Sequence, residues 1–259
     1  MRKGELVGFV AVAALSLGLA GVSKAQVINS DDGAYRAIQG TPVGALPPLM
    51  TSTILGRLQR YPQFALRYGY LSGLAVPGTD QSDKNGSNNV AASVVIPLSL
   101  GSTVTGTAGI WYPSKADVNG DRQASILLGL GGDYRLGSTA ITDAAEAPLF
   151  TFGLNGDLGF GKPRNATLWS AGVGVPLALV TRGQGMQIGT FVVPMIGFGN
   201  FDASNQLGGA TFSGMRYSLG GGVGFYNQAS TVSVNLGFQH VYISGAPTLV
   251  GIAVAIGRS

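Results

Sequence analysis

The sequence predicts an all-β fold: a closed antiparallel transmembrane β-barrel of about ten strands (eight and twelve stay open), preceded by a cleaved signal peptide. Three observations lead there. The chain has an apolar leader, yet no later apolar run long enough for a membrane helix. Only 11% of its 259 residues are charged, and its 42 glycines are about twice the usual ~7% share. From residue 63 onward, large apolar side chains recur at every second position, with glycine, serine and polar residues between them.

The leader comes first. Arg2 and Lys3 form a basic start, Leu6 to Val22 an apolar run, and "SKA" supplies small residues for cleavage after Ala25. A retained anchor is the competing reading, because the run approaches the ~18–20 residues that cross a bilayer. Richness in alanine and glycine and the small-x-small site favour cleavage, so residues 1–25 are read as the signal peptide. Residues 26–62 lack the alternation and are read as a periplasmic N-terminal extension or plug, with a short helix or one added strand in "PPLMTSTILGRLQRYPQ" as further options.

Residues 1–25 hold Arg2, Lys3, Lys24 and Glu5, which leaves 13 basic and 11 acidic residues of the 16 and 12 in the whole chain. Such a balance argues against a basic surface for nucleic acid. With no cysteine, a lipoprotein anchor, disulfides and thiolate chemistry are excluded.

The strands follow in order, near 63–75, 89–99, 103–112, 124–135, 149–160, 167–180, 187–199, 213–226, 230–243 and 248–257. The fifth, "LFTFGLNGDLGF", shows the pattern most clearly. Phe150, Phe152, Leu154, Gly156, Leu158 and Phe160 fall on one face, and Thr151, Gly153, Asn155, Asp157 and Gly159 on the other. "NG" is a strong hairpin signal, but the alternation runs through it unbroken. The same period carries Trp169, Ala171, Val173 and Val175 in the sixth strand, Tyr217, Leu219, Val223 and Phe225 in the eighth, and Val250, Ile252, Val254 and Ile256 in the last.

Most segments reach the ~9–11 residues a tilted strand needs to cross a bilayer. Long polar loops such as "PGTDQSDKNGSNN" tend to alternate with short turns such as "TRGQG", and aromatics (Phe160, Trp169, Tyr217, Phe225, Tyr242) sit near strand ends as interface girdles would. Pro97, Pro176 and Pro194 fall inside strands, where each lacks a ladder donor and belongs at a bulge or an end. Pro194 casts doubt on the strand boundaries around it.

Residues 63–259 resemble a small bacterial outer-membrane β-barrel protein. The resemblance implies an outer-membrane location, lipid as the surrounding partner and a barrel-assembly machinery for insertion. Gly251, Val254 and Ile256 have the spacing of the assembly signal that ends such chains, while "GRS" departs from its terminal aromatic and leaves the exact family open.

The inward parity carries Arg67, Asp133, Arg135, Asn155, Asp157, Arg216, Asn235 and Gln239 as candidate lumen or selectivity residues. Opposite charges facing one lumen either pair and plug it or line a narrow polar constriction. The expected role is a passive pore for small solutes or a structural barrel. An outer-membrane lipid or peptide hydrolase and a surface adhesion protein are the alternatives. Hydrolytic sites lean on a histidine with a serine or carboxylate partner. The single histidine, His240, has Ser244 four residues on but shares parity with the outward Phe238 and Tyr242, so no catalytic residue is assigned. Asp117, Asn119 and Asp121 have the spacing of a calcium loop without its distal glutamate, and "NAT" at Asn165 matches a glycosylation sequon by chance. No metal site and no cofactor are expected.

Overall fold

The computed structural model describes residues 61–75, 84–99, 101–113, 124–142, 147–162, 167–181, 185–203, 210–227, 232–242 and 248–257. The leader, nearly all of residues 26–62, the calcium-like loop, Asn165 and Ser244 lie outside the described residues.

The strands are β1 (Gln63–Ala75), β2 (Lys84–Ser99), β3 (Ser102–Pro113), β4 (Ser125–Ala140), β5 (Leu149–Lys162), β6 (Thr167–Gly174), β7 (Leu177–Val180), β8 (Met186–Ala203), β9 (Ala210–Asn227), β10 (Val232–Val241) and β11 (Thr248–Ile256). Both β6 and β7 pair with β5 on one side and β8 on the other, so they are two halves of one stave, and the wall has ten staves. Every stave pairs antiparallel with its sequence neighbour, and β1 pairs with β11 from Phe64↔Ile256 to Ser72↔Thr248. The sheet is closed. Carried round the wall, the registers return to β1 displaced by about 12 residues, a stagger that tilts the strands within the ~35–45° range of closed barrels.

The two-residue period sorts the side chains as the sequence indicates. On β1, Phe64, Leu66, Tyr68 and Tyr70 are exposed on the outer wall while Ala65, Arg67 and Leu71 are buried inside. On β5, Leu154, Leu158 and Phe160 face out, and Thr151 shares the inward face with Asn155 and Asp157. A wall of large apolar side chains around the whole circumference far exceeds the few hundred Å² of contiguous apolar surface that water-soluble monomers show.

The prolines have distinct local consequences. Pro97 sits where the β2–β3 register shifts. Pro176 splits the sixth stave into β6 and β7, with the Gly153 amide donating to its carbonyl at 3.0 Å. Pro194 departs from the sequence expectation, because β8 runs through it without interruption. Its carbonyl accepts the Val175 amide at 3.1 Å, and the bond it cannot return falls at the break of the neighbouring stave. Several strand ends also lie further out than the alternation indicates, most of all where β2 starts at Lys84, β4 runs to Ala140 and β8 to Ala203.

Inside, the lumen is less polar than its sequence parity suggests. Ala178, Val180, Phe191, Val193 and Tyr226 form a buried cluster, with Leu149 and Met195 packed against it. Leu71 and Leu249 form a second cluster under Trp111.

Candidate functional site

The polar lumen residues divide into two groups set by register. The first joins β1, β3, β4 and β5. Asp133 is the cross-strand partner of both Thr103 and Asn155, and Asp157 lies two residues beyond Asn155 on the same face. Thr103 Oγ1 donates to Asp133 Oδ2 at 3.5 Å. Arg67, from β1, is buried within electrostatic reach of both Asp133 and Asp157. Since β5 is four staves from β1 in a wall of ten, this guanidinium acts across the lumen and not along one side. Buried opposite charges need such partners, because isolation from water leaves each charge costly.

Two glycines seat the acidic and amide side chains. Gly172 and Gly174 lie opposite Asp157 and Asn155. A Cβ on Gly172 would meet Asp157 Oδ1 at 2.7 Å, and one on Gly174 would meet Asn155 Oδ1 and Met195 Cγ within 2.9 Å. The polar side chains therefore occupy the space that side chains on β6 would otherwise fill. Gly172→Ala is expected to lower the unfolding free energy by about 1–3 kcal/mol, because the displaced carboxylate must leave its place beside Arg67. Urea titration of the protein refolded in vesicles reads this, and no shift in midpoint would show that the carboxylate is not held there.

The second group lies on β9 and β10. Gln239 Nε2 donates to Ser218 Oγ at 2.9 Å and approaches Met195 Sδ at 3.7 Å. Tyr226 Oη donates to Asn235 Oδ1 at 3.4 Å. Both amides are buried.

Of the eight lumen candidates, Arg67, Asp133, Asn155 and Asp157 come together, Asn235 and Gln239 form the separate amide group, and Arg135 lies two residues beyond Asp133 on the same face of β4. Arg216 belongs to β9, and its side chain lies outside the described residues. Sequence reasoning missed Thr103, Ser218, Tyr226 and the apolar lining. Tyr226 follows Phe225 on the opposite parity, so one of two adjacent aromatics had to point inward, which is the one signal the sequence held.

His240 lies on the outward parity. Its Nδ1 shares a hydrogen bond with Thr248 Oγ1 at 2.9 Å, and its ring meets Tyr242 edge-on at 5.0 Å. Among the described residues, no group of three histidine, cysteine or carboxylate side chains is placed to hold a metal.

No family signature matches the chain, and no characterised protein matches it in sequence. Among solved structures it is similar to the translocator domain of autotransporter NalP from Neisseria meningitidis, at 10% identity and a TM-score of 0.37, covering 91% of this chain and 100% of that one. It is similar also to the transport unit of the autotransporter AIDA-I from Escherichia coli, at 11% identity and a TM-score of 0.36, covering 89% and 98%. A third is Ail, the attachment invasion locus protein of Yersinia pestis, at 10% identity and a TM-score of 0.28, covering 76% and 100%. At these scores the likenesses carry no functional weight.

Proposed function

We propose that the chain is a bacterial outer-membrane barrel whose lumen is closed by its own side chains. It would work as a membrane-embedded scaffold for its longer loops and not as an open pore. Support for the membrane comes from the outer wall. Its apolar side chains need an apolar solvent, and closure leaves no strand edge for lipid to face. Signal-peptide export and insertion by a barrel-assembly machinery belong to the same proposal.

The observation that carries the closed lumen is the burial of inward side chains. Asn89 and Thr151 are 0% exposed, and Leu71, Val180 and Leu249 are 1% exposed. In an open channel these positions would line water. Arg67, acting across the lumen on Asp133 and Asp157, adds a charged crossbar at another level. The connections after β1, β3, β5, β8 and β10 leave from the end opposite the start of β1, and the longest, 114–124, is among them, while 141–148 leaves from the other end.

The test is planar-bilayer recording from the mature chain, with vesicle flotation as proof of insertion. Inserted protein is expected to be silent. Steady, reproducible openings would overturn the closed lumen, and failure to float with vesicles would overturn the membrane assignment.

A further inference from the structure

The outer wall is not evenly filled. A shallow, open recess of about 590 Å³ runs along its outside, across β3, β4, β5, β6, β8 and β9. Its floor is made by the small outward residues Gly132, Gly156 and Ala171, and Leu158, Val173, Phe198 and Met215 stand around it.

The floor glycines are not required by the packing of the wall. A Cβ on Gly156 would come no closer than 3.8 Å to the Gly172 carbonyl oxygen, and one on Gly132 no closer than 3.5 Å to that of Thr103. Both are ordinary contacts. Inside the lumen the case differs, since a side chain on Gly109 or Gly222 would run into the backbone of the next strand. Gly132 and Gly156 could therefore carry the large apolar side chains found elsewhere on this wall, and their absence is what makes the recess.

We propose that this recess is a binding site for one acyl tail of a membrane phospholipid. The inference rests on the membrane assignment above. Continuity with the lipid-facing wall identifies the occupant: the recess is a dent in that wall and opens onto whatever bathes it. Gly132 and Gly156 lie at the middle of β4 and β5, which is hydrocarbon depth and not headgroup depth. The outward side chains around the recess are aliphatic, aromatic or thioether, and Asp157, the one charged residue along it, lies on the inward parity of β5, so the recess matches a tail by dispersion contact. A second copy fits less well. Two convex barrels meet along a line, and the standing side chains around the recess hold such a wall off its floor.

The chain has no cysteine, so single cysteines can be labelled cleanly. Val173→Cys, at the recess, and Leu236→Cys, outward at the middle of β10, would each carry a bimane in vesicles containing a minor fraction of phosphatidylcholine brominated at mid-chain. Bimane at position 173 is expected to be quenched about twofold more strongly than at position 236, because a seated tail holds bromine in contact with the label. Gly132→Leu with Gly156→Leu should abolish the difference. Equal quenching at both sites, unchanged by filling the floor, would overturn the proposal while leaving the membrane assignment intact. No quenching at either site would remove the membrane assignment itself. Disulfide-linked dimers of the unlabelled Val173→Cys variant, with weak quenching of its labelled form, would seat a second copy there instead. A difference seen only with brominated free fatty acid would assign a free ligand and overturn the phospholipid tail.

Discussion

Gly222→Ala is expected to destabilise the barrel by about 3 kcal/mol or more, among the largest effects of any single methyl group in this chain. Gly222 faces inward on β9, opposite Gly237 of β10 and Phe191 of β8. A Cβ there would land on the Leu236 carbonyl oxygen, with the Gly237 Cα at 2.9 Å and Phe191 Cε1 at 3.0 Å. The first two are backbone and cannot rotate away. The strands must part, and each ladder bond opened in hydrocarbon costs several kcal/mol because no water replaces it. Gly106→Ala is the matched control. Gly106 lies on the outward parity of β3 with nothing within 4 Å of its would-be Cβ, so its change should stay within about 0.5 kcal/mol. Urea unfolding in vesicles compares the two. Equal midpoints would mean that β9 and β10 are not as closely apposed as their register implies.

The same row supports the proposed closure of the lumen. Gly222 pairs with Gly237, Gly237 with Gly251, and Gly251 with Gly69, so four staves meet the lumen without side chains. The Phe191 ring occupies the space over the first of them. Small inward residues are compatible with a wide channel or with filled space, and the large buried side chains of neighbouring staves support the proposed filling.

The wall was legible in the sequence because lipid demands one uniformly apolar face. In "LFTFGLNGDLGF" that demand produces unbroken alternation, and β5 spans Leu149–Lys162 with Asn155 and Asp157 inward. The stave from 167 to 180 was legible for the same reason, apart from the break that Pro176 imposes. β8 was harder. Phe191, Val193 and Met195 fill the lumen while Val192 and Ile196 face out, so both parities are apolar and Pro194 stands where a boundary would. The lumen group was legible only as a set of residue types. That Arg67 comes within electrostatic reach of Asp133 and Asp157 depends on the accumulated stagger of four staves, which no local pattern encodes. Outward glycines at 132 and 156 read in sequence only as gaps in a period, and their meaning needs the neighbouring staves beside them.

Arg67→Ala should be comparably severe, with a loss of about 3 kcal/mol and the upper end of the range near 5, because it leaves two lumen carboxylates without the cation that reaches both. The loss belongs to the uncompensated charges and not to the missing side chain. Asp133→Asn and Asp157→Asn added to Arg67→Ala should therefore restore most of the stability, since a neutral polar lumen carries no such penalty. Arg135, two residues beyond Asp133 on β4, stays in place throughout and keeps the comparison from being a general removal of positive charge. Unfolding midpoints of the single and triple variants give the first reading, and conductance gives the second. Both variants should stay silent in planar bilayers, because Asn89, Thr151, Leu71, Val180 and Leu249 are buried at other levels of the lumen, and cation-selective openings of Arg67→Ala would make the guanidinium the sole barrier. A single variant as stable as the parent would mean that water already solvates the carboxylates. The lumen would then hold water at that level, and the crossbar would drop out of the proposed closure, leaving it to the buried side chains at the other levels.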